Sequence, residues 1–294
     1  MRPFEYGEPA TLAQAVGLLC EHEGDECYVL AGGTDLLVMM QQDKIRPRHV
    51  VNIAKLPGLD QVIVEPGRGA HIGALATIRA LEKSEGLAAA YPVIGEAVRF
   101  FGGITIRNMA TIGGNLARGN PSADLPPVLV VLGALIHVVG PRGERVIPIE
   151  EFFLRPSVTA LAPDEILTEV ELPEPPAGAG AVYQKQCMRG VDLATVGVAA
   201  LIVVEPGSRA CTEARLCFAG AAPVPLRCRE AEKVLRGAVL DDGVIDEAAE
   251  TAAAEARPRE GSFRADPVYR RRLLRALTVK MVKQAAAASE GRAS

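Results

Sequence analysis

Apolar residues recur at helical spacing through Leu12, Ala15, Val16, Leu19 and Cys20, with Thr11 ahead of them as an N-cap. A continuous apolar run, Cys27-Tyr-Val-Leu-Ala31, follows and suits a buried strand. It runs into Gly32-Gly-Thr-Asp35, after which Leu36, Leu37 and Met40 resume a helical stripe that Thr34 or Asp35 could cap. Residues 49–53 and 70–74 read as strands, Thr77 as the cap of a helix reaching Glu85, and residues 91–101 as a helix ended by Gly102-Gly103. Ser122-Ala-Asp-Leu-Pro-Pro127 sets an acidic cap and early prolines before Val128, Leu129, Val131 and Leu132, which marks a helix start. Residues 134–139 and 144–148 form a hairpin around Gly140-Pro-Arg-Gly143, and residues 165–172 give one more strand.

The pattern changes at Pro173-Glu-Pro-Pro-Ala-Gly-Ala-Gly180, the clearest boundary in the chain. Three β-rich runs follow, over residues 181–188, 194–205 and 211–219, with a turn at Pro206-Gly-Ser-Arg209. Helical segments near 227–236, 243–256 and 266–288 close the chain, and the alanine-rich end after Ala285 is expected to fray. Strands followed by helices predict an α+β second domain, a three-stranded antiparallel meander backed by helices. The expected division is residues 1–176 and 177–294.

Composition narrows the function classes. With 294 residues, 49% of them apolar, the chain can fill two or three cores. A net charge of −4 with interspersed acids and bases favours neither nucleic acid nor an anionic membrane. The apolar run 128–139 is broken by Gly133 and His137 and falls short of a membrane span, while Glu5 and Glu8 speak against a leader peptide. The expectation is a cytoplasmic protein. Six cysteines are scattered without a Cys-x-x-Cys pair, so an intrinsic zinc or iron–sulfur centre is not expected. They read as free thiols in a reducing compartment, and the four histidines are equally dispersed.

The glycine pairs gain meaning only from their surroundings. With 29 glycines, about three adjacent pairs arise by chance, and the chain has three. Neither Gly32-Gly33 nor Gly113-Gly114 sits in a G-x-G-x-x-G or G-x-x-x-x-G-K-[ST] motif, which argues against a Rossmann site or a P-loop. Each nevertheless follows β-like apolar residues and precedes hydrogen-bonding side chains. Main chain at Thr111-Ile-Gly-Gly-Asn115 could approach a ligand closely, and a glycine turn opening a helix offers N–H donors to a phosphate. A tight turn with an ordinary cap explains the first pair equally well.

Ala31-Gly-Gly-Thr-Asp35, Ile106-Arg-Asn-Met-Ala-Thr-Ile-Gly-Gly-Asn-Leu-Ala117 and Pro121-Ser-Ala-Asp-Leu-Pro126 together resemble the FAD-binding medium subunit of molybdenum hydroxylases, the carbon monoxide dehydrogenase and xanthine dehydrogenase type. Phe4-Glu-Tyr6, Lys185 with Arg189 and Asp192-Leu-Ala194, Ala219-Gly-Ala-Ala-Pro-Val-Pro225 and Tyr269-Arg-Arg271 extend the likeness along the chain. The resemblance implies a PCMH-type FAD-binding domain of two α+β subdomains, followed by the smaller C-terminal domain.

It further implies that Ala31, Gly32, Gly33, Thr34 and Asp35 contact the FAD pyrophosphate, with Thr111, Gly113, Gly114 and Asn115 approaching from the other side. Asp124 would accept from ribose hydroxyls, although capping the next helix is its alternative or additional role. Leu167 belongs to the same set, Leu193 would form an apolar wall against the flavin ring, and Lys185 would stand near the flavin or else be an exposed strand lysine. Arg107 and Asn108 read as turn and surface residues or as cofactor contacts. The implied function is electron transfer within a heteromeric molybdenum hydroxylase: FAD takes electrons from a [2Fe-2S] small subunit, a molybdopterin large subunit oxidises the substrate, and the assembly is a dimer of heterotrimers. The alternative is a self-contained FAD-dependent oxidase or reductase of the same fold.

Overall fold

The computed structural model describes residues 2–22 and 26–293. Its opening segment alternates strands and helices: β1 (Glu5–Gly7), α1 (Leu12–Glu21), β2 (Cys27–Leu30), α2 (Leu36–Gln41) and β3 (His49–Asn52). The three strands pair in parallel in the order β1-β3-β2. Thr11 caps α1 by accepting from the Gln14 N–H at 3.2 Å, and α1 turns Ala15, Val16 and Leu19 into a small core with Val51, Ile53 and Leu56.

A larger unit follows. It contains β4 (Val62–Glu65), β5 (Gly69–Gly73), α3 (Ile78–Lys83), α4 (Glu85–Ala90), α5 (Pro92–Arg99), α6 (Ile104–Met109), α7 (Ile112–Arg118), α8 (Leu125–Leu132), β6 (Leu135–Gly140), β7 (Gly143–Pro148), α9 (Ile149–Phe152), β8 (Phe153–Arg155), β9 (Val158–Thr159) and β10 (Ile166–Leu172). Five strands make an antiparallel sheet in the order β4-β5-β10-β6-β7, so the last strand of the unit becomes its middle one. The helix expected from Thr77 to Glu85 ends two residues early. Ser84 leaves helical geometry and caps a separate helix, accepting from the Leu87 N–H at 3.3 Å.

The rest of the chain forms β11 (Gly180–Gln186), β12 (Val196–Val204), β13 (Cys211–Ala219), β14 (Leu226–Arg227), α10 (Arg229–Leu235), α11 (Asp242–Glu255) and α12 (Pro267–Ala293). A two-residue fourth strand joins the three expected ones, in the order β11-β12-β13-β14. The anticipated fraying after Ala285 does not occur. Ser289 is fully buried, its Oγ accepting from the Val204 N–H at 3.0 Å and donating to the Gly178 carbonyl at 2.7 Å. A Cβ on Gly180 would lie 2.0 Å from the Ala285 carbonyl oxygen, so the helix rests directly on strand backbone.

Helix α8 joins the two larger units. All eight of its residues are buried, as expected of a helix that is apolar on every side. It packs against β12 and β13 as well as α5, and its side chains share one core with Ile72, Ile136, Val138 and Val170 of the five-stranded sheet. No helix among the described residues is long and apolar enough to cross a membrane.

Candidate functional site

The two glycine stretches meet. A Cβ on Gly32 would lie only 1.9 Å from the Met109 carbonyl oxygen, so the turn after β2 presses against the backbone that enters α7. That backbone is fixed in turn: Ile78 N–H donates to Ala110 O at 2.9 Å, Ile112 N–H to Ala76 O at 3.0 Å and Gly113 N–H to Ala74 O at 2.9 Å. Between the stretches lies a cavity of about 450 Å³. Ala31, Gly32, Gly33, Thr34 and Asp35 form one wall, Thr111, Gly113, Gly114 and Asn115 another, and Ile166 and Leu167 of β10 contribute from the sheet.

The second stretch differs from its sequence reading. Gly113-Gly114 is not a turn but the first turn of α7, capped by Thr111, whose Oγ1 accepts from the Gly114 N–H at 3.1 Å. The N–H groups of Gly113 and Asn115 are likewise taken, by Ala74 O and Thr111 O. Gly113 is small because of protein packing, since its Cβ would lie 2.7 Å from Ala74 Cβ and 2.8 Å from Ala74 O. At Gly114 an added Cβ would meet only Thr111 Oγ1, at 2.9 Å.

The first stretch is the one with donors to spare. Gly33 sits at φ +70°, in the left-handed region that glycine enters without strain. Among the described residues, no acceptor is placed for the N–H groups of Gly32, Gly33, Thr34 or Asp35. Asp35 stands at the N-cap of α2 without a side-chain cap bond. Asn115 Oδ1 is buried without a hydrogen-bond partner, and so is the Arg118 Nε. Arg118 is the one cation lining the cavity among the described residues. Its Nε lies 3.7 Å from Asp35 Oδ1, which links the two walls. Sequence reading passed over Arg118, although it was the only basic residue between Asn108 and Pro127. Glu165, also on the cavity, is held by Arg145 at 2.7 Å, which keeps its carboxyl below the usual range.

Free N–H donors, a guanidinium nitrogen without a hydrogen-bond acceptor and an orphaned amide oxygen beside apolar walls fit a ligand that carries both phosphate and an aromatic ring system. FAD meets that description.

Three expected contacts stand elsewhere. Asp124 and Lys185 do not line the cavity; they pair with each other at 2.9 Å, both buried. Asp124 Oδ1 also accepts from the Tyr183 hydroxyl at 2.8 Å. It makes no side-chain cap bond to α8, so its carboxylate is spent on neither of the roles expected of it. Burial pushes its carboxyl up, against the pull of the Lys185 ammonium and the Tyr183 hydroxyl. Lys185 is not an exposed strand lysine. Its Nζ donates to Asp124 Oδ2, to Phe100 O at 3.0 Å and to Asp192 O at 2.7 Å, which uses all three hydrogens. Leu193 lies off the cavity and is 38% exposed, beside exposed Met188 and Val191. Arg107 is structural: it bonds Glu82 of α3 at 3.1 Å and the Gly102 carbonyl at 2.8 Å.

Residues 2–175 match the model of the FAD binding domain in molybdopterin dehydrogenase, and residues 181–285 match that of the CO dehydrogenase flavoprotein C-terminal domain. The chain belongs to the FAD-binding subunit family of the molybdopterin dehydrogenases. Within this family it is 34% identical to the carbon monoxide dehydrogenase medium chain of Afipia carboxidovorans over 97% of both chains. It is 33% identical to the xanthine dehydrogenase FAD-binding subunit of Escherichia coli O157:H7 over 98% of this chain and 97% of the other. The solved carbon monoxide dehydrogenase from Hydrogenophaga pseudoflava superposes with a TM-score of 0.93 at 31% identity, covering 98% of this chain and 99% of that one.

The packing separates the glycines into two kinds. Gly32→Ala and Gly113→Val should each lose about 1–3 kcal/mol or more of stability in urea unfolding, because backbone or Ala74 must move. Gly114→Val should unfold near the parent midpoint yet retain no flavin through gel filtration. Lys185→Met strands the Asp124 carboxylate and should cost roughly 3–5 kcal/mol near neutral pH. Because burial raises the folded-state pKa of Asp124, that loss should shrink as pH falls through the raised value and the carboxyl takes up a proton. Equal urea midpoints for the parent and Lys185→Met chains would refute this account of the pair.

Proposed function

We propose that this chain is the FAD-carrying electron-transfer subunit of a heteromeric molybdenum hydroxylase, taking electrons from an iron–sulfur subunit and passing them to an external acceptor. The observation that carries the reading is the cavity in which both glycine stretches converge, with four main-chain N–H groups lacking acceptors on one wall. FAD, when bound, supplies a group that accepts electrons singly and releases them in pairs. The protein's part is binding and electrostatics. The N–H groups of residues 32–35 would hold the pyrophosphate, and Arg118, which Asp35 orients, would offset its charge from the opposite wall. Asn115 Oδ1 accepts from a ligand hydroxyl or N–H. Ile53, Leu75, Ile166 and Leu167 keep water from the apolar part.

Electron entry requires a neighbour, and the surface beside the cavity suits one. Ile104, Ile106 and Met109 of α6 are exposed by 41–56%, next to the backbone that Gly32 contacts. Met188, Val191 and Leu193 form a second exposed apolar strip. We assign these surfaces to the [2Fe-2S] and molybdopterin subunits, in a dimer of heterotrimers, and read residues 1–176 and 177–294 as the two domains. A cytoplasmic setting accords with the absence of disulfides among the described residues. A self-contained oxidase would need acid–base groups poised at the flavin. The carboxylates lining the cavity, Asp35 and Glu165, are instead engaged with Arg118 and Arg145.

Purified from its native host, the chain should carry one FAD and bring molybdenum and iron subunits with it, and alone it should turn over no small organic substrate. Flavin-dependent turnover by the isolated chain would transfer the reading to the oxidase class. Arg118→Ala should weaken FAD binding by about tenfold or more, the worth of one charge-assisted bond, while leaving phosphate-free riboflavin unaffected.

A further inference from the structure

The side of the five-stranded sheet that faces away from α8 carries two histidines and two glutamates that the cofactor cavity does not use. Alternation along the strands sends Ala70, Ile72, Ile136, Val138, Val170 and Leu172 into the core. His71 of β5, His137 of β6, and Glu169 and Glu171 of β10 therefore share the opposite face. Register sets Glu171 across from His71 and Glu169 across from His137. The side chains then cross diagonally: His71 Nδ1 lies 2.8 Å from Glu169 Oε1, and His137 Nε2 lies 2.7 Å from Glu171 Oε2. Glu169 Oε1 is also 3.9 Å from His137 Nε2, so one carboxylate oxygen stands between both imidazoles. One ligand atom each from His71, Glu169 and Glu171 falls within 4.8 Å of the other two.

Charge and access point the same way. The ion pairs described for Glu169 and Glu171 are with these histidines alone, and no lysine or arginine joins them among the described residues. With both imidazoles neutral, the face holds two adjacent negative charges and two nitrogen lone pairs, the complement of one divalent cation. The four side chains are 28–35% exposed, and a depression of about 310 Å³ opens over His71, His137 and Glu169, with Gln61 and Thr168 on its wall. An ion can therefore reach the ligands and keep a water.

We propose that His71, Glu169 and Glu171 form a three-ligand binding site for a divalent transition-metal ion of the zinc class, bridging β5 and β10, with His137 bonded to Glu171 behind it. One imidazole with two carboxylates makes a borderline N/O set that zinc accepts, whereas magnesium and calcium favour all-oxygen ligands. Ligands about 2.0–2.2 Å from a tetrahedral zinc stand about 3.3–3.6 Å apart. The 2.8 Å pair of His71 with Glu169 needs to open, which rotation of the glutamate side chain provides, and water takes the fourth position. Because β10 also supplies Ile166 and Leu167 to the cofactor cavity, the ion would stiffen the strand beneath it.

The test uses the full FAD-loaded chain, stripped with a chelator and titrated with zinc chloride by calorimetry and by thermal unfolding. One equivalent should bind and raise the melting temperature. His71→Ala and Glu169→Gln should each weaken zinc at least about tenfold while flavin absorbance is retained. Glu169→Gln is nearly isosteric and keeps the test valid should His71→Ala fold poorly. A cobalt(II) spectrum should lack thiolate charge-transfer bands, which separates this site from the six cysteines. Absence of zinc binding by the parent chain, binding undiminished in both variants, or thiolate bands would each overturn the proposal.

Discussion

An ammonium and a carboxylate buried together fix how the two larger units of this protein meet. Lys185 comes from the first strand of the C-terminal sheet and Asp124 from the start of α8, and their pairing is completed by Tyr183 and two main-chain carbonyls. Moving two charges out of water is unfavourable by several kcal/mol for each ion, and only a fully satisfied geometry offsets it. That makes the pair a weak source of net stability and a strong source of specificity: few other arrangements of the two sheets would leave both charges satisfied. Phe100 and Asp192, which receive the remaining ammonium hydrogens, tie the ends of two further segments to the same point.

Around this anchor the cavity is built by contact between main chains. Gly32 touches Met109, Gly113 touches Ala74, and residues 74–78 exchange hydrogen bonds with residues 110–113. Side chains can shift by rotamer changes, whereas backbone pressed on backbone has little freedom. The walls are therefore set before any ligand arrives. Donors on one wall and an arginine on the other are already oriented when a ligand arrives, which reduces the ordering cost of binding.

Much of the fold was legible because its periodicities are clean. The α1 stripe, the 135–148 hairpin and the early prolines of α8 announced elements that the structure contains. What escaped was decided by single residues acting locally or by contacts distant in sequence. Ser84 splits a helix because its hydroxyl accepts a backbone bond, and Ser289 keeps α12 ordered by reaching Val204 and Gly178. The two glycine stretches drew attention through their polar surroundings and the family resemblance, and Ala31–Asp35, Thr111, Gly113, Gly114, Asn115 and Leu167 surround one cavity. Whether Gly113 faces ligand or neighbouring backbone is not written in a local motif, nor is the partner of a lysine. The pairing of Lys185 with Asp124 spans 61 positions. Arg118 was hidden for the opposite reason: arginine near a helix end is so common that its position carries no warning.

The topology of the five-stranded sheet also bears on how the cavity comes into being. Its middle strand is the last to be synthesised, and the contact from His71 to Glu169 bridges 98 positions. Pairings of such long range lose chain entropy before any contact offsets it, so they form late in folding. Until β10 inserts between β5 and β6, and β12 and β13 fold against it, the hydrophobic run that becomes α8 stays uncovered. The nascent chain thus spends time with a sticky helix and two unpaired strand edges, a state open to aggregation. A flavin available at that stage would act on the yield of folded protein as well as on its later chemistry, because a ligand that binds only the closed form draws the chain toward it.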